Sequence, residues 1–294
     1  MPFSWAHPSL SPTPFALVLV LVVWYLEATR RCDPPTSRRQ HISFGGALFA
    51  LVIAFEWPVS ELARHVSLLA LVFQRELLML ATAPLLLYAI PIEVGARLTR
   101  PAIIDTIVAR LFEPVPALAL STVTLGVTAM PFAVSAESHN AWLRFVVALA
   151  TLGVGFVIWN PVIRRVPGVR NLSPIGKALY LVAQSFAPTY LSFAWIFAPH
   201  DLYHSLRGQQ AVLGISPLLD QRLSGYLAKL VTFGVLWPVA YHFFAHGIDG
   251  TASSEERFEW SDLERRLERA HRQEKRARRG ASEEDVSPLD SYGA

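Results

Sequence analysis

Seven apolar blocks, separated by connections that hold most of the charges, constrain this chain of 294 residues more than any other feature. An α-helix rises about 1.5 Å per residue and the hydrocarbon core of a bilayer is about 30 Å thick, so a transmembrane helix needs roughly 20 mostly apolar residues. In this chain 52% of the residues are hydrophobic and only 17% are charged. The blocks are Pro14–Ala28, Ile42–Val59, Val66–Ile92, Val115–Val134, Trp142–Val162, Ala178–Ala198 and Leu223–Ala245. The sequence therefore predicts an all-α fold, an integral membrane bundle of seven transmembrane helices.

The basic residues of the connections predict the orientation of this bundle. The connections after the first, third and fifth blocks hold most of them, and the alternate connections hold few. The first set is Arg30, Arg31, Arg38, Arg39, Arg97, Arg100, Arg110, Arg164, Arg165, Arg170 and Lys177, and the second set is Arg64, Arg207 and Arg222, with Arg144 at the edge of a block. Because cytoplasmic connections carry the excess of Lys and Arg, we expect the N-terminus outside and the C-terminus in the cytoplasm.

Three segments follow from this topology. Residues 1–13 form an outer N-terminal segment, residues 14–246 form the transmembrane domain, and residues 247–294 form a charged cytoplasmic tail. Within the tail, about residues 256–279 predict one amphipathic helix, either solvated or lying on anionic lipid or a partner. The residues after it predict a disordered end. No Lys or Arg precedes the first block, so we expect it to remain as a helix and not to be removed as a signal peptide.

Charged and polar residues interrupt two of the apolar blocks. Gln74, Arg75 and Glu76 are consecutive in the third block, and Lys229 lies in the last block at a similar depth. A charge near the bilayer centre costs several kcal/mol unless it is paired or hydrated, so Arg75, Glu76 and Lys229 should face the bundle interior. Arg75 and Glu76 point about 100° apart around the helix, so we expect Glu76 to pair with Lys229. This intramembrane polar cluster predicts either a structural ion pair or a polar cavity for a proton, a metal or a small ligand.

A few residues have side chains that ligate metals. His200 and His204 are four apart, so both imidazoles share one face if that segment is helical, and Asp201 lies beside them. Met79 and Met130 offer thioethers to Cu(I). Each has a structural alternative, an interfacial loop for the histidines and apolar packing for the methionines. The single cysteine, Cys32, excludes an intramolecular disulfide.

Three stretches carry a recognisable pattern: "QRELLMLATAPLLLYAIP" in the third block, "GFVIWNPVI" at the end of the fifth, and "LYHSLRGQQAVLGISPLLDQRLSGYL" before the last. Together they resemble the polytopic CtaG family of cytochrome c oxidase assembly factors. The positions that match the family's motifs are Pro84, Tyr203, Asp220, Gln221 and Gly225. The resemblance implies a multi-pass protein of the bacterial inner membrane that contacts a cytochrome c oxidase subunit or its assembly intermediates. It also implies a link to copper delivery, through the family's recurrent histidines.

This chain departs from that family at the histidines themselves. The two histidines of the third span fall on Leu71 and Arg75, and the histidine of the fourth-span His-x-Pro falls on Ala129. Leu and Ala have no ligating atom, and Arg keeps its proton at any ordinary pH. The cofactor is therefore unknown, with copper only a possibility.

An assembly factor for a haem-copper oxidase is the leading hypothesis for the function. The alternatives are an accessory structural subunit of a respiratory complex and a transporter of copper or a small solute. No Ser-His-Asp order, phosphate loop or pair of carboxylates in a plausible pocket is recognisable, so we do not expect an enzyme. The lipid bilayer is a partner, and nothing in the charge pattern predicts binding to nucleic acid.

Overall fold

The computed structural model describes residues 12–30, 32, 35–99, 101–166, 172–206 and 213–247, and all of its regular secondary structure is helical. Besides one short 3-10 helix, His204–Leu206, twelve helices follow one another within those residues. They are α1 (Pro12–Thr29), α2 (Arg38–Phe55), α3 (Val59–Val66), α4 (Leu68–Ala89), α5 (Ile92–Leu98), α6 (Ala102–Leu111), α7 (Pro114–Thr128), α8 (Pro131–His139), α9 (Ala141–Ile163), α10 (Pro174–Gln184), α11 (Phe186–Phe197) and α12 (Pro217–Gly247). The predicted tail helix and disordered end lie outside the described residues, as does nearly all of the outer N-terminal segment.

The all-helical prediction is confirmed, and the helices follow the apolar blocks. Of the described helices, α4, α9 and α12 are individually long and apolar enough to cross a membrane. That number rises to five if two bent pairs each form one span, α2 with α3 at 46° and α7 with α8 at 68°. By length and composition the described residues thus give three to five spans, and the count of seven stays a prediction.

Proline explains where two of the predicted spans are broken. The fourth block continues past Pro131, which is the first residue of α8 and begins the new helix after the bend. The sixth block is divided into α10 and α11 at Ser185. Pro188 has no N–H to donate to the carbonyl four residues earlier, that of Gln184, so a continuous helix is disfavoured there.

Helix α4 lies at the centre of the fold and packs against both α2 and α9. Its middle turn, Leu77–Thr82, is a π-helix, in which each N–H donates to the carbonyl five residues earlier. Pro84 follows this turn and has no N–H for the carbonyl of Met79. The indole Nε1 of Trp159 in α9 donates to that carbonyl at 3.1 Å. Gly155 allows the close approach, because a Cβ there would lie 2.9 Å from the same oxygen.

A chain of buried hydrogen bonds joins α7, α9 and α10. The Ser121 hydroxyl donates to Gln184 Oε1 at 2.7 Å, and Gln184 Nε2 donates to the Tyr180 hydroxyl at 2.9 Å. Tyr180 in turn donates to the carbonyl of Ile158 at 3.1 Å. Polar side chains that are satisfied between apolar helices hold those helices in register. This network is separate from the polar residues of α4.

Candidate functional site

Arg75 forms a buried ion pair with Glu137, a residue that the sequence did not single out. Nη2 of Arg75 donates to Oε1 of Glu137 at 2.7 Å, and Nη1 donates to the carbonyl of Thr128 at 3.0 Å. The two side chains are only 10% and 5% exposed. The guanidinium therefore joins α4 to the end of α7 and to α8, and its fork geometry uses both terminal nitrogens.

Leu71, Arg75 and Ala129, the three positions that the resemblance assigns to the family's histidines, lie in one region of the core. Leu71 and Ala129 belong to the same buried apolar cluster as Trp195 and Tyr203. Arg75 and Ala129 also line a cavity of about 30 Å³, beside Trp195. A cavity of that size has room for a single water molecule or little more. The three residues therefore lie close together in the core, although none of them is a histidine.

The side chains in this region do not fit a copper ion. Leu71 and Ala129 contribute only hydrocarbon, and the guanidinium of Arg75 is a fixed cation that repels a metal ion. Of the two carboxylates nearby, that of Glu137 already accepts a hydrogen bond from Arg75, and that of Glu76, which lines the same cavity, would be a single ligand. We therefore assign no metal chemistry to this region.

Glu76 and Lys229 do not form the ion pair that we expected. Glu76 is buried against Thr232 of α12, and its carboxyl group has no ion-pair partner among the described residues. The ammonium group of Lys229 lies 4.6 Å from the centre of the Phe193 ring on α11. The buried side of α12 carries Ala228 and Thr232, four residues apart. Lys229 is turned about 100° from Ala228, so it faces α11 instead of α4.

Gln74, the remaining member of the predicted polar cluster, is also buried and faces another helix. Its Nε2 donates to the carbonyl of Ala54 in α2 at 2.6 Å. The four residues therefore point to four different neighbours, namely α2, α8, α12 and α11. Arg75 and Glu76 both line the small cavity of about 30 Å³, whereas Gln74 and Lys229 do not.

Asp220 and Gly225, two of the positions that the resemblance assigns to the family's motifs, join neighbouring helices at the start of α12. Asp220 is fully buried there, where Oδ1 accepts from the Ser67 hydroxyl at 2.6 Å and Oδ2 accepts from the Leu68 N–H at 2.7 Å. The carboxylate thus caps the N-terminus of α4, where a negative charge is favoured. Gly225 lets α12 approach α11, because a Cβ there would lie 2.7 Å from the carbonyl oxygen of Ser192.

Tyr203 and Gln221 fix the connection between α11 and α12. The Tyr203 hydroxyl donates to the carbonyl of Ala129 at 2.6 Å and accepts from Trp195 Nε1 at 2.7 Å. Gln221 accepts from the Leu202 N–H at 2.8 Å and donates to the carbonyl of Trp195 at 3.2 Å. Burial raises the pKa of Tyr203 to about 12, so this hydroxyl remains a donor across the physiological range.

The candidate metal ligands are dispersed. His200 and His204 are exposed, and the residues between them are not helical. Their spacing of four residues therefore does not place the two imidazoles on one face of a helix. Asp201 lies in the same non-helical segment. Met79 is buried in the core beside α9, whereas Met130 is half-exposed at the α7–α8 bend. Within the described part of the chain, no group of three or more His, Cys, Asp or Glu residues could hold a metal ion.

Sequence reasoning missed Glu137 because it ended the fourth span at Val134. The available signal was Arg75 itself: a buried guanidinium requires a carboxylate from another helix. Glu137 follows the fourth block by only three residues, and it is the acidic residue closest to that block's outer end. The bend at Pro131, which moves Glu137 towards α4, could not be measured from the sequence.

Comparison with known protein families finds a match over most of the chain. Residues 19–248 match the model of a family described as cytochrome c oxidase caa3 assembly factor (Caa3_CtaG). The matched range begins within α1 and ends one residue after α12. No curated protein sequence and no solved structure matches the chain significantly.

Proposed function

Because the chain belongs to the family of cytochrome c oxidase caa3 assembly factors (Caa3_CtaG), we propose that it is an integral membrane protein that helps to mature a haem-copper cytochrome c oxidase. The observation that carries this proposal is the family match over residues 19–248, which includes both halves of the Arg75 site. Its partners are an oxidase subunit or assembly intermediates of the oxidase. Its role is to hold or guide these partners, and not to catalyse a reaction.

The chemistry of the Arg75 site supports action through protein contacts. Leu71, Arg75 and Ala129 supply no metal ligand. The ion pair between Arg75 and Glu137 links the elements that relatives are expected to link through histidines. In this proposal the bundle keeps the family's shape, and that shape is what the oxidase recognises.

The proposed topology has seven spans in the bacterial inner membrane, with the N-terminus outside and the C-terminus in the cytoplasm. It is supported by the excess of Lys and Arg in alternate connections. Alkaline phosphatase, which is active only outside the cytoplasm, tests it. A fusion after Asn140 should be active and a fusion after Val166 inactive, and the reverse pattern would overturn the orientation.

A deletion strain tests the proposed function. Without this protein, membranes should contain less assembled oxidase, with lower oxidase activity and a smaller haem absorbance, and the intact gene should restore all three. Normal oxidase in the deletion strain would refute the proposal. Affinity purification separates the two modes of action. A transient assembly factor retains incomplete oxidase, whereas an accessory subunit co-purifies with the mature complex in equal amounts.

Elemental analysis tests the inferred loss of the metal site. Purified protein loaded with Cu(I) should retain much less than one copper per chain at this site. The triple variant L71H, R75H and A129H is the positive control, because it places imidazoles at the three positions that lie together in the core. Stoichiometric copper in the unmodified protein would contradict our interpretation of the site, while leaving the assembly role intact.

A further inference from the structure

A second cavity, of about 430 Å³, lies where α3, α4 and α9 meet. It is far larger than the cavity beside Arg75, and its size falls within the range of small-ligand sites. Two arginines line it, Arg64 from α3 and Arg144 from the first turns of α9, together with Ser60. The rest of the cavity wall is mostly apolar and includes Leu17 and Phe145.

Both arginines have unused hydrogen-bond donors. Nε of Arg64 and Nη1 of Arg144 are buried and have no hydrogen-bond partner in the described part of the chain. Glu61 and Glu137 are close enough to interact with Arg144 electrostatically, but neither forms an ion pair with it among the described residues. A buried donor without a partner costs about 1–3 kcal/mol, and more when it is charged. An anion beside these two guanidinium groups would offset part of that cost.

The charge of the cavity selects an anion. Two guanidinium groups lie in one site, and the planar fork of arginine matches the oxygens of a phosphate group. Ala141, the first residue of α9, also lines the cavity. The partial positive charge at that helix end adds to the positive potential of the two arginines. Arg64 and Arg144 are moreover basic residues at the end of the bundle that we place outside, where the positive-inside rule predicts few.

The apolar wall indicates that the anion carries a hydrocarbon portion. Phe55 and Ala148 line the cavity beside Phe145, and Trp142 is 71% exposed next to them. Tryptophan at such a position is typical of the membrane interface, where headgroups lie. A free phosphate ion would use the arginines and leave this wall unoccupied.

We propose that this cavity is a binding site for an anionic phospholipid, with the phosphodiester between Arg64 and Arg144 and an acyl chain along Phe55 and Phe145. The site is separate from the Arg75 ion pair and does not depend on the assembly role.

Lipid titration of the purified full-length protein in detergent tests this proposal. Tryptophan fluorescence gives the Tm, and native mass spectrometry counts the lipids that remain bound. Phosphatidylglycerol should raise the Tm by several degrees and remain bound, whereas phosphatidylcholine with the same acyl chains should bind at least tenfold more weakly. In the variant R64Q/R144Q the preference for phosphatidylglycerol should be lost.

Two controls distinguish a lipid site from a pair of structural arginines and from general attraction between lipid and surface charge. The variant R222Q removes one exposed arginine near the start of α12, which we also place on the outer side of the membrane. This variant should keep the full preference for phosphatidylglycerol. In lipid-free detergent, R64Q/R144Q should be at least as stable as the unmodified protein, because it removes unsatisfied buried charge. A lower Tm there would mean that the arginines are structural and would overturn the proposal. An equal shift with inorganic phosphate alone, or an undiminished phosphatidylglycerol effect in R64Q/R144Q, would overturn it as well.

Discussion

Replacing the two members of the Arg75–Glu137 pair, singly and together, measures what the pair contributes to folding. The variants are R75M, E137M and R75M/E137M. Glu137→Met leaves Arg75, whose side chain is only 10% exposed, with a positive charge that it cannot lose. We therefore expect the free energy of unfolding to fall by about 3–5 kcal/mol. Arg75→Met leaves a carboxyl group that can bind a proton, so its cost should be smaller, about 1–3 kcal/mol.

The double variant removes both charges and replaces them with apolar groups of similar length. It should be more stable than the sum of the single losses predicts, by about 2 kcal/mol. Unfolding by SDS in mixed micelles, followed by the fluorescence of the 8 tryptophans, gives these free energies. The matched control is Glu27→Met, which breaks an ion pair to Arg30 whose side chains are 60% and 73% exposed. That change should cost less than about 1 kcal/mol. Additive losses in the cycle, or an E137M variant as stable as E27M, would refute the reasoning.

Three further substitutions test the contacts at the start of α12 and the connection before it. Gly225→Ala should cost about 1–3 kcal/mol in the same SDS titration because its Cβ meets a backbone oxygen at 2.7 Å, whereas Gly234→Ala, with no neighbour within 4 Å, should be neutral or stabilising. Asp220→Asn should cost about 1–3 kcal/mol, since an amide cannot accept both hydrogen bonds at the start of α4. Tyr203→Phe leaves the Ala129 carbonyl and the Trp195 indole N–H without the Tyr203 hydroxyl, and it should lower the free energy of unfolding by about 2 kcal/mol or more. The indole N–H of Trp195 should also exchange faster with solvent in this variant.

The positions of the helices along the chain follow closely from hydrophobicity. The third block is Val66–Ile92 and α4 runs from Leu68 to Ala89, and the fifth block is Trp142–Val162 and α9 runs from Ala141 to Ile163. Such agreement is expected because the length of an apolar block can be counted directly along the sequence. Leu71, Arg75 and Ala129, which the resemblance assigns to the family's histidine positions, lie in one region of the core.

The partners of buried charges did not follow from the sequence. Depth in the membrane can be counted along the chain, and on that basis Glu76 and Lys229 match. Pairing also depends on how each helix is rotated about its axis, and a difference of one residue turns a side chain by about 100°. Lys229 lies one residue from the buried side of α12, and this is enough to place it against Phe193.

The bend at Pro131 explains why Arg75 is paired with a residue from beyond the predicted fourth span. In a straight helix Glu137 would lie about 12 Å farther along the axis than Ala129, at about 1.5 Å per residue. Arg75 donates to Thr128 just before the bend and to Glu137 after it, so both acceptors lie within reach of one guanidinium. The 68° change of direction between α7 and α8 is what brings them together. Pro131 begins the new helix without needing an N–H partner, so the same proline that ends the fourth span also makes the buried ion pair possible.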